Sequence, residues 1–244
     1  YDHALQIANL LVGSEKDEAA LEITFADFSA SFVGEGRISI TGADLGAEIN
    51  GVSIEPWQSF TVRTGDILAF TEIKEGCRAY LALEGGIEVP RVMGSKSTYT
   101  KARIGGYMGR KLEEGDLLKV EGGRTISFGG PIKLPDAFIP KYCANPKIRV
   151  VLGPQDDYFT RQEMEKFLDS QYILTNQCDR MGYRLEGQPI VHVEEPDIIS
   201  DGIALGAVQI PGHGQPIIMM KDRQTVGGYA KIANVISLDI SQLA

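Results

Sequence analysis

The sequence predicts an all-β fold, mainly β with a few short helices, and three observations carry that prediction. Apolar residues recur with period two over much of the chain. Short apolar runs are bounded by Gly, Pro and Asp turns. Helical spacing of apolar residues appears only once in each half.

Taken in order, the chain opens with a helix. Asp2 serves as its N-cap, Ala4, Ile7, Ala8 and Leu11 form its apolar stripe, and Gly13 suits its end. From Leu21 the period changes to two. Leu21, Ile23 and Phe25 alternate with polar residues, Phe28, Ala30 and Phe32 lead into a Gly34-Glu35-Gly36 turn, and Ile38 and Ile40 continue beyond it. That is a hairpin pattern. Arg63 to Leu68 and Glu113 to Leu118 each place a Gly-Asp turn before an apolar strand, either as an internal repeat or as a common turn used twice. Pro131, Pro135, Pro140 and Pro146 then break any regular element. They predict a linker over 129–146 between an N-terminal domain, 1–128, and a C-terminal domain, 147–244. In the second domain Ile148 to Leu152 reads as a strand ending at Gly153-Pro154. Thr160 and Glu163 fit a capping box ahead of Met164, Phe167 and Leu168. Strands return at Tyr183 to Leu185, Ile217 to Met220 and Ile232 to Leu238. Short strands with one helix per half imply two β-barrel-like units.

Composition bounds the function. Of 244 residues 43% are hydrophobic and 23% charged, as in soluble globular proteins. No apolar run approaches the roughly 20 residues that span a bilayer, so no membrane role is expected. A net charge of -9 argues against nucleic acid, and an anion such as ATP would need locally concentrated Arg and Lys. Cys77, Cys143 and Cys178 lie far apart, which favours free thiols in a cytoplasmic protein. Gly94-Ser95-Lys96-Ser97 lacks the glycine spacing of a phosphate loop, and no dinucleotide fingerprint or nucleophile elbow is present. His3, His192 and His213 form no zinc-type pair, and no metal site is expected.

Three constellations remain. Gln209 to Pro216 and Asp222 to Tyr229 are glycine-rich turns flanking an apolar strand. They offer Gln and Asp side chains and backbone N–H groups to a ligand, or simply close hairpins. In Asp179-Arg180-Met181-Gly182-Tyr183-Arg184 the arginines clamp a carboxylate or phosphate, or an Asp–Arg pair holds a turn. Glu84 to Ile87, Met93 to Thr98 and Gly105 to Arg110 bring small residues together for a close approach or for tight corners. His213, between two glycines, is a general base or a surface turn residue.

Asp179-Arg180-Met181-Gly182-Tyr183-Arg184-Leu185-Glu186-Gly187, Gly214-Gln215-Pro216-Ile217 and Gln224-Thr225-Val226-Gly227-Gly228-Tyr229 resemble hallmark strings of one family. Ala8-Asn9-Leu10-Leu11-Val12-Gly13 and Leu83-Glu84-Gly85-Gly86-Ile87 do so too. The family is the 5-oxoprolinase C-subunit group, also called KipA-like, allophanate hydrolase subunit 2 or biotin-dependent carboxyltransferase-like. The resemblance runs through the whole chain in order, with departures at Val226, where a threonine is common, and at Ala230, where proline is usual. Family members extend further at both ends, so the chain is expected to be trimmed.

This resemblance implies two cyclophilin-like β-barrel units. It implies two partners, the KipI-like B subunit of 5-oxoprolinase and its A subunit, with ATP as co-substrate, Mg with it, and no tightly bound cofactor. The implied reaction opens 5-oxo-L-proline to L-glutamate. The alternatives are the carboxyltransferase part of a biotin-dependent urea carboxylase, with biotin as its carrier, or a non-catalytic regulator of a KipI-like protein. The residues expected to act are Asp222, Gln224 and Arg180, with Asp179, Arg184, Gln209, Gln215, Thr225, Gly227, Gly228 and Tyr229 binding substrate. Within that set Arg180 and Arg184 are expected at a carboxylate or phosphate, and Asp222 and Gln224 at a planar amide.

Overall fold

The structure, a computed structural model, describes residues 2–122, 130–143 and 145–243. It is mainly β, every described strand pair is antiparallel, and it divides into two compact units, Tyr1–Ala144 and Asn145–Leu243. The expected boundary at 128/129 lies outside the described residues.

In the first unit α1 (Asp2–Leu11) precedes β1 (Leu21–Thr24), β2 (Phe28–Ser31), β3 (Gly36–Asp44) and β4 (Ala47–Ile49). After these come β5 (Val52–Ser53), β6 (Gln58–Val62), β7 (Ile67–Phe70) and β8 (Glu75–Leu83). They form two four-stranded sheets, β1-β8-β3-β6 and β2-β7-β4-β5. Strand parity decides what each face meets. Ile38 and Ile40 of β3 and Ala79 and Leu81 of β8 join Leu68 and Phe70 of β7 in one core. The alternate residues Tyr80 and Ala82 pack with Ala4 and Ala8 of α1 and with Trp57. On that same face the hydroxyls of Ser39 and Thr41 donate to the carbonyls of Ala8 and Ala4, at 2.6 and 2.7 Å. Buried hydroxyls in a strand are thereby satisfied by the helix backbone.

The apolar alternation places strands correctly but not their partners. β1 pairs with β8 and β2 with β7, so the runs flanking Gly34–Gly36 do not form the expected hairpin. A local hairpin lies instead at β4 and β5, closed by Asn50-Gly51 with φ of 52° and 75°. The two Gly-Asp segments do share one geometry. Asp66 and Asp116 each accept the backbone N–H three residues earlier, at 2.7 and 2.8 Å, after a left-handed glycine. Only the first turn feeds a regular strand. Within the stretch expected as linker, Ile132 N–H donates to Ser59 Oγ at 2.9 Å, Lys133 bridges to Gln58, and Leu134 packs beside Trp57.

The second unit runs through β9 (Val150–Leu152), α2 (Arg161–Asp169), β10 (Ile173–Leu174), β11 (Gly182–Glu186) and β12 (Asp197–Gly202). It continues with β13 (Ala207–Gln209), β14 (Ile217–Met219), β15 (Val226–Tyr229) and β16 (Lys231–Val235). Six strands form the sheet β10-β11-β14-β13-β16-β9, and β12 and β15 pair as a ribbon. Thr160 caps α2 through the Glu163 N–H at 3.2 Å. The Glu163 carboxylate accepts Val191 N–H and pairs with Lys166, so half of the expected capping box is used for tertiary contact. Val226 to Tyr229, expected as a turn, is strand β15, whereas Pro211 to Gly214 does turn, with Gly214 at φ 78°.

Candidate functional site

Lys231 opens β16 and faces Gln209 of β13 across the sheet, at a register shift between Val208 and Gln209. Both side chains are buried, 3% and 1% exposed, and both reach the β12–β15 ribbon. Lys231 Nζ donates to Asp201 Oδ2 at 3.0 Å, and Gln209 Nε2 lies 3.5 Å from the Tyr229 carbonyl oxygen. Asp201 and Gly227 are direct partners in the ribbon. A Cβ on Gly227 would stand 2.7 Å from Ile203 Cδ1, 3.1 Å from Gln209 Nε2 and 3.6 Å from Gln224 Nε2. The missing side chain therefore lets Ile203 and the two amide groups pack closely against the ribbon. Gln155 adds a third amide, accepting the Lys231 backbone N–H at 3.2 Å and bonding the Asp201 carboxylate. The Lys231 ammonium, with help from the Gly202 N–H, holds the Asp201 carboxyl below the usual carboxylate range.

Arg180 and Asp222 meet in a two-point ion pair, Nε to Oδ2 at 2.9 Å and Nη2 to Oδ1 at 3.2 Å, backed by Asp222 N–H to the Arg180 carbonyl at 2.7 Å. The pair ties the 179–181 turn to the 220–225 loop. Arg223 Nε donates to the Ile203 carbonyl at 2.9 Å, and the Thr225 carbonyl accepts Ile203 N–H at 3.0 Å. These bonds fix the loop that carries the exposed Gln224. Asp179 Oδ1 accepts Met181 N–H at 2.7 Å and Gly182 N–H at 3.2 Å, shaping its own turn. Arg184 is exposed on β11, and its guanidinium has no partner among the described residues.

Gln215 mimics a strand neighbour: its amide accepts Gly187 N–H at 2.9 Å and donates to the Gly187 carbonyl at 3.1 Å. Gly228 lies in β15, where a Cβ would stand 3.3 Å from the Ile198 carbonyl, and Tyr229 is partly exposed. His213 Nδ1 accepts Gln215 N–H at 3.1 Å. Together with His192 and Glu194, His213 borders a shallow cleft of about 220 Å³. His192 is pushed towards its neutral form by burial, although its contact with the Ile210 carbonyl works the other way.

In the first unit the glycine-rich strings hold internal contacts. Lys96 Nζ bridges Glu18 and Glu121 at 2.6 and 2.7 Å, and Arg110 forks onto Asp116 with two bonds of 2.7 Å. These cations are committed to carboxylates of the chain, so neither is assigned to a phosphate. Among the described residues no three His, Cys, Asp or Glu side chains are grouped to hold a metal ion, and no step is assigned to one. The three cysteines are free, and among the described residues no helix is long and apolar enough to cross a membrane.

Of the residues expected at the site, Gln209, Gln224 and Gly227 converge, with Tyr229 and Gly228 on the same ribbon strand. Arg180, Asp222 and Thr225 brace the loop beside them, and Asp179 and Gln215 hold turns of the backbone. Sequence reasoning missed Lys231, Asp201 and Gln155. The available signal for Lys231 was a lone cation between Ala230 and the apolar run Ile232-Ala233.

Residues 2–244 match the family model described as "Carboxyltransferase domain, subdomain A and B". The chain is 37% identical over 241 residues to the 5-oxoprolinase C subunit of Escherichia coli, covering 99% of the chain and 76% of that protein. It is 33% identical to the 5-oxoprolinase C subunit of Haemophilus influenzae, again covering 99% of the chain and 76% of the relative. The crystal structure of the K. lactis urea amidolyase superposes with a TM-score of 0.90 at 28% identity, covering 99% of this chain and 16% of that one.

Proposed function

Since this chain belongs to the family of carboxyltransferase domains, subdomains A and B, and within it to the 5-oxoprolinase C-subunit group, we propose that it is the C subunit of a 5-oxoprolinase. It acts in the cytoplasm with the A and B subunits, and the assembly opens 5-oxo-L-proline to L-glutamate with ATP. The observation that carries this reading is the 37% identity to the Escherichia coli protein over nearly the whole chain.

The chemistry asks for recognition of a carboxylate and of a planar lactam, which has a carbonyl acceptor beside an N–H donor. The carboxamides of Gln209 and Gln224 suit the second, each offering an N–H donor and a carbonyl acceptor. ATP transfers its terminal phosphoryl group to the lactam oxygen, which makes the carbonyl carbon a better electrophile. Water adds at that carbon, and the ring nitrogen takes a proton and leaves as the amine. A second water hydrolyses the resulting acyl phosphate to the carboxylate and inorganic phosphate. In this reading Gln209 and Gln224 orient the lactam, and the Arg180–Asp222 pair positions Gln224. The test is ATP hydrolysis and glutamate formation by the full-length protein assembled with the A and B subunits. Glutamate that depends on this chain and on 5-oxoproline supports the reading, and an assembled complex that makes none removes it.

A second reading rests on the 0.90 TM-score to the urea amidolyase structure. It makes the chain the carboxyltransferase component for urea or a related amide, with the carboxyl group delivered on biotin. Carboxylation of urea by the assembly, requiring a biotinylated carrier, would support it in place of the first. A KipA-like regulator predicts tight partner binding without turnover in either assay.

A further inference from the structure

After β8 the chain locally reverses its overall charge. Residues 89–112 hold six Lys and Arg and no Asp or Glu, on a chain whose net charge is -9. Lys96 and Arg110 are used internally, the first bridging Glu18 and Glu121, the second forking onto Asp116, and these pairs anchor the segment. Arg103 and Lys111 are exposed, and neither side chain has a partner among the described residues. Apolar side chains are exposed beside them. Tyr99 and Ile104 exchange backbone hydrogen bonds of 2.8 and 3.2 Å and are 42% and 46% exposed, and Met108 is 73% exposed. Gly109 brings the two ends of the patch together, since a Cβ on it would stand 2.8 Å from Arg103 Cα. Arg103 and Met108 both hold a φ of 54°, a left-handed backbone that is costly for a residue with a Cβ. The close glycine packing fixes that backbone, so both side chains are displayed before any partner arrives.

We propose that the patch formed by Tyr99, Arg103, Ile104, Met108 and Lys111 is the docking surface for a partner subunit, which meets it with an acidic face around an apolar hollow. The inference rests on the subunit reading given above and deepens it. Charge decides the kind of partner. The chain as a whole repels an acidic protein while this segment attracts one, which turns the incoming face towards the patch. The side chains fit the same role, because Tyr, Met and Arg are the residues enriched in the cores of protein interfaces. The flexible thioether of Met108 fills an apolar hollow, and Arg103 offers a planar fork to a carboxylate. Nucleic acid is disfavoured, because Arg103 and Lys111 neutralise too few phosphates to hold a backbone against a net charge of -9.

The test follows association of the full-length protein with its A and B subunits by biolayer interferometry, at low and at high salt. The double variant Arg103→Glu with Lys111→Glu is expected to slow association with one subunit by about tenfold and to remove its acceleration at low salt. Lys16→Glu with Lys147→Glu makes the same change of charge at exposed positions elsewhere. That control is expected to stay within about twofold of the wild-type rate. Met108→Ala is expected to raise the dissociation rate by about fivefold and to leave the association rate unchanged. Thermal unfolding checks that each variant is folded, and since the substituted side chains are exposed the wild-type Tm is expected. Equal association rates for wild type and the Arg103→Glu, Lys111→Glu variant overturn the inference, as does equal slowing by the control. So does a wild type that binds neither subunit. Patch variants that change self-association alone would make the occupant a second copy of this chain, and overturn it too. Failure of the functional reading looks different: the complex assembles through the patch and forms no glutamate from 5-oxoproline.

Discussion

Arg180 and Asp222 meet across 42 residues of sequence, and each satisfies the charge of the other before any ligand arrives. Their side chains are 38% and 25% exposed, so water screens the pair and its own contribution to stability is modest. A double-mutant cycle of Arg180→Ala and Asp222→Ala, followed by denaturant unfolding, is expected to give a coupling of about 1 kcal/mol. In the assembled enzyme each single variant should weaken substrate binding as much as the double variant does, since either one frees the loop that carries Gln224. Additive losses in KM would instead return both residues to direct contact with the ligand. The sequence offered both alternatives for this arginine, a ligand clamp or a partner for an aspartate. It named Asp179 as the neighbouring aspartate, whereas the tertiary partner is Asp222.

At the scale of the element, two glycines separate stability from function. Gly153 ends β9 against the backbone of β16, where a Cβ would stand 2.0 Å from the Lys231 carbonyl oxygen and 2.9 Å from Ala233 N. Backbone cannot give way as a side-chain tip can, so Gly153→Ala must part the two strands. Overpacking of this kind costs about 2 kcal/mol, or roughly 5 °C in Tm for a chain of this size. On Gly227 the added Cβ meets the ends of Ile203 and Gln209, which are able to turn aside. Gly227→Ala is expected to lower Tm by less than about 2 °C and to abolish ligand binding at the site. Thermal unfolding with calorimetry separates the two variants. A Gly153→Ala protein with unchanged Tm would show that β9 does not press on β16. The glycine pair at 227–228 was read as part of a turn that offers N–H groups to a ligand or closes a hairpin; a glycine that serves in a strand has the same letter.

At the scale of the whole molecule, acid should be a stronger denaturant than the net charge of -9 alone suggests. The paired Arg110 guanidinium holds the Asp116 carboxyl down at about 2, against 3.8 for the free group. Asp201 and Asp239 are likewise lowered, by bonds from Lys231 and Arg149. A carboxyl lowered by folding contributes stability that is complete above its unfolded value and is lost as pH falls through its folded value. Stability is therefore expected to hold down to about pH 4 and to decline between there and about pH 2. The single tryptophan, Trp57, is buried in the first unit, the unit that contains Asp116. Denaturant midpoints from its fluorescence should fall over that range, and Asp116→Asn should flatten the fall. A midpoint that does not change between pH 4 and pH 2 would show that these pairs are equally formed in the unfolded chain.

The sequence by itself determined the class of many local pieces, although Val226 to Tyr229, expected as a turn, is a strand. Period-two alternation marked strands, Asp2 and Thr160 marked helix starts, the Gly-Asp turns marked their own geometry, and a run of family strings identified the group. These are properties of a few neighbouring residues, decided by backbone sterics and by which face is apolar. Only the tertiary structure decided which strand lies beside which. Alternation says that Ile38 and Ile40 face a core, but it does not say that β8 rather than β2 supplies their neighbour. The site is written at that second level. Lys231 meets Gln209 because β16 pairs with β13, and it meets Asp201 across 30 residues because the ribbon lies over both. A lysine is read from sequence as a surface residue, since burying its charge is costly. The carboxylate that makes its burial possible is brought to it only when the chain folds.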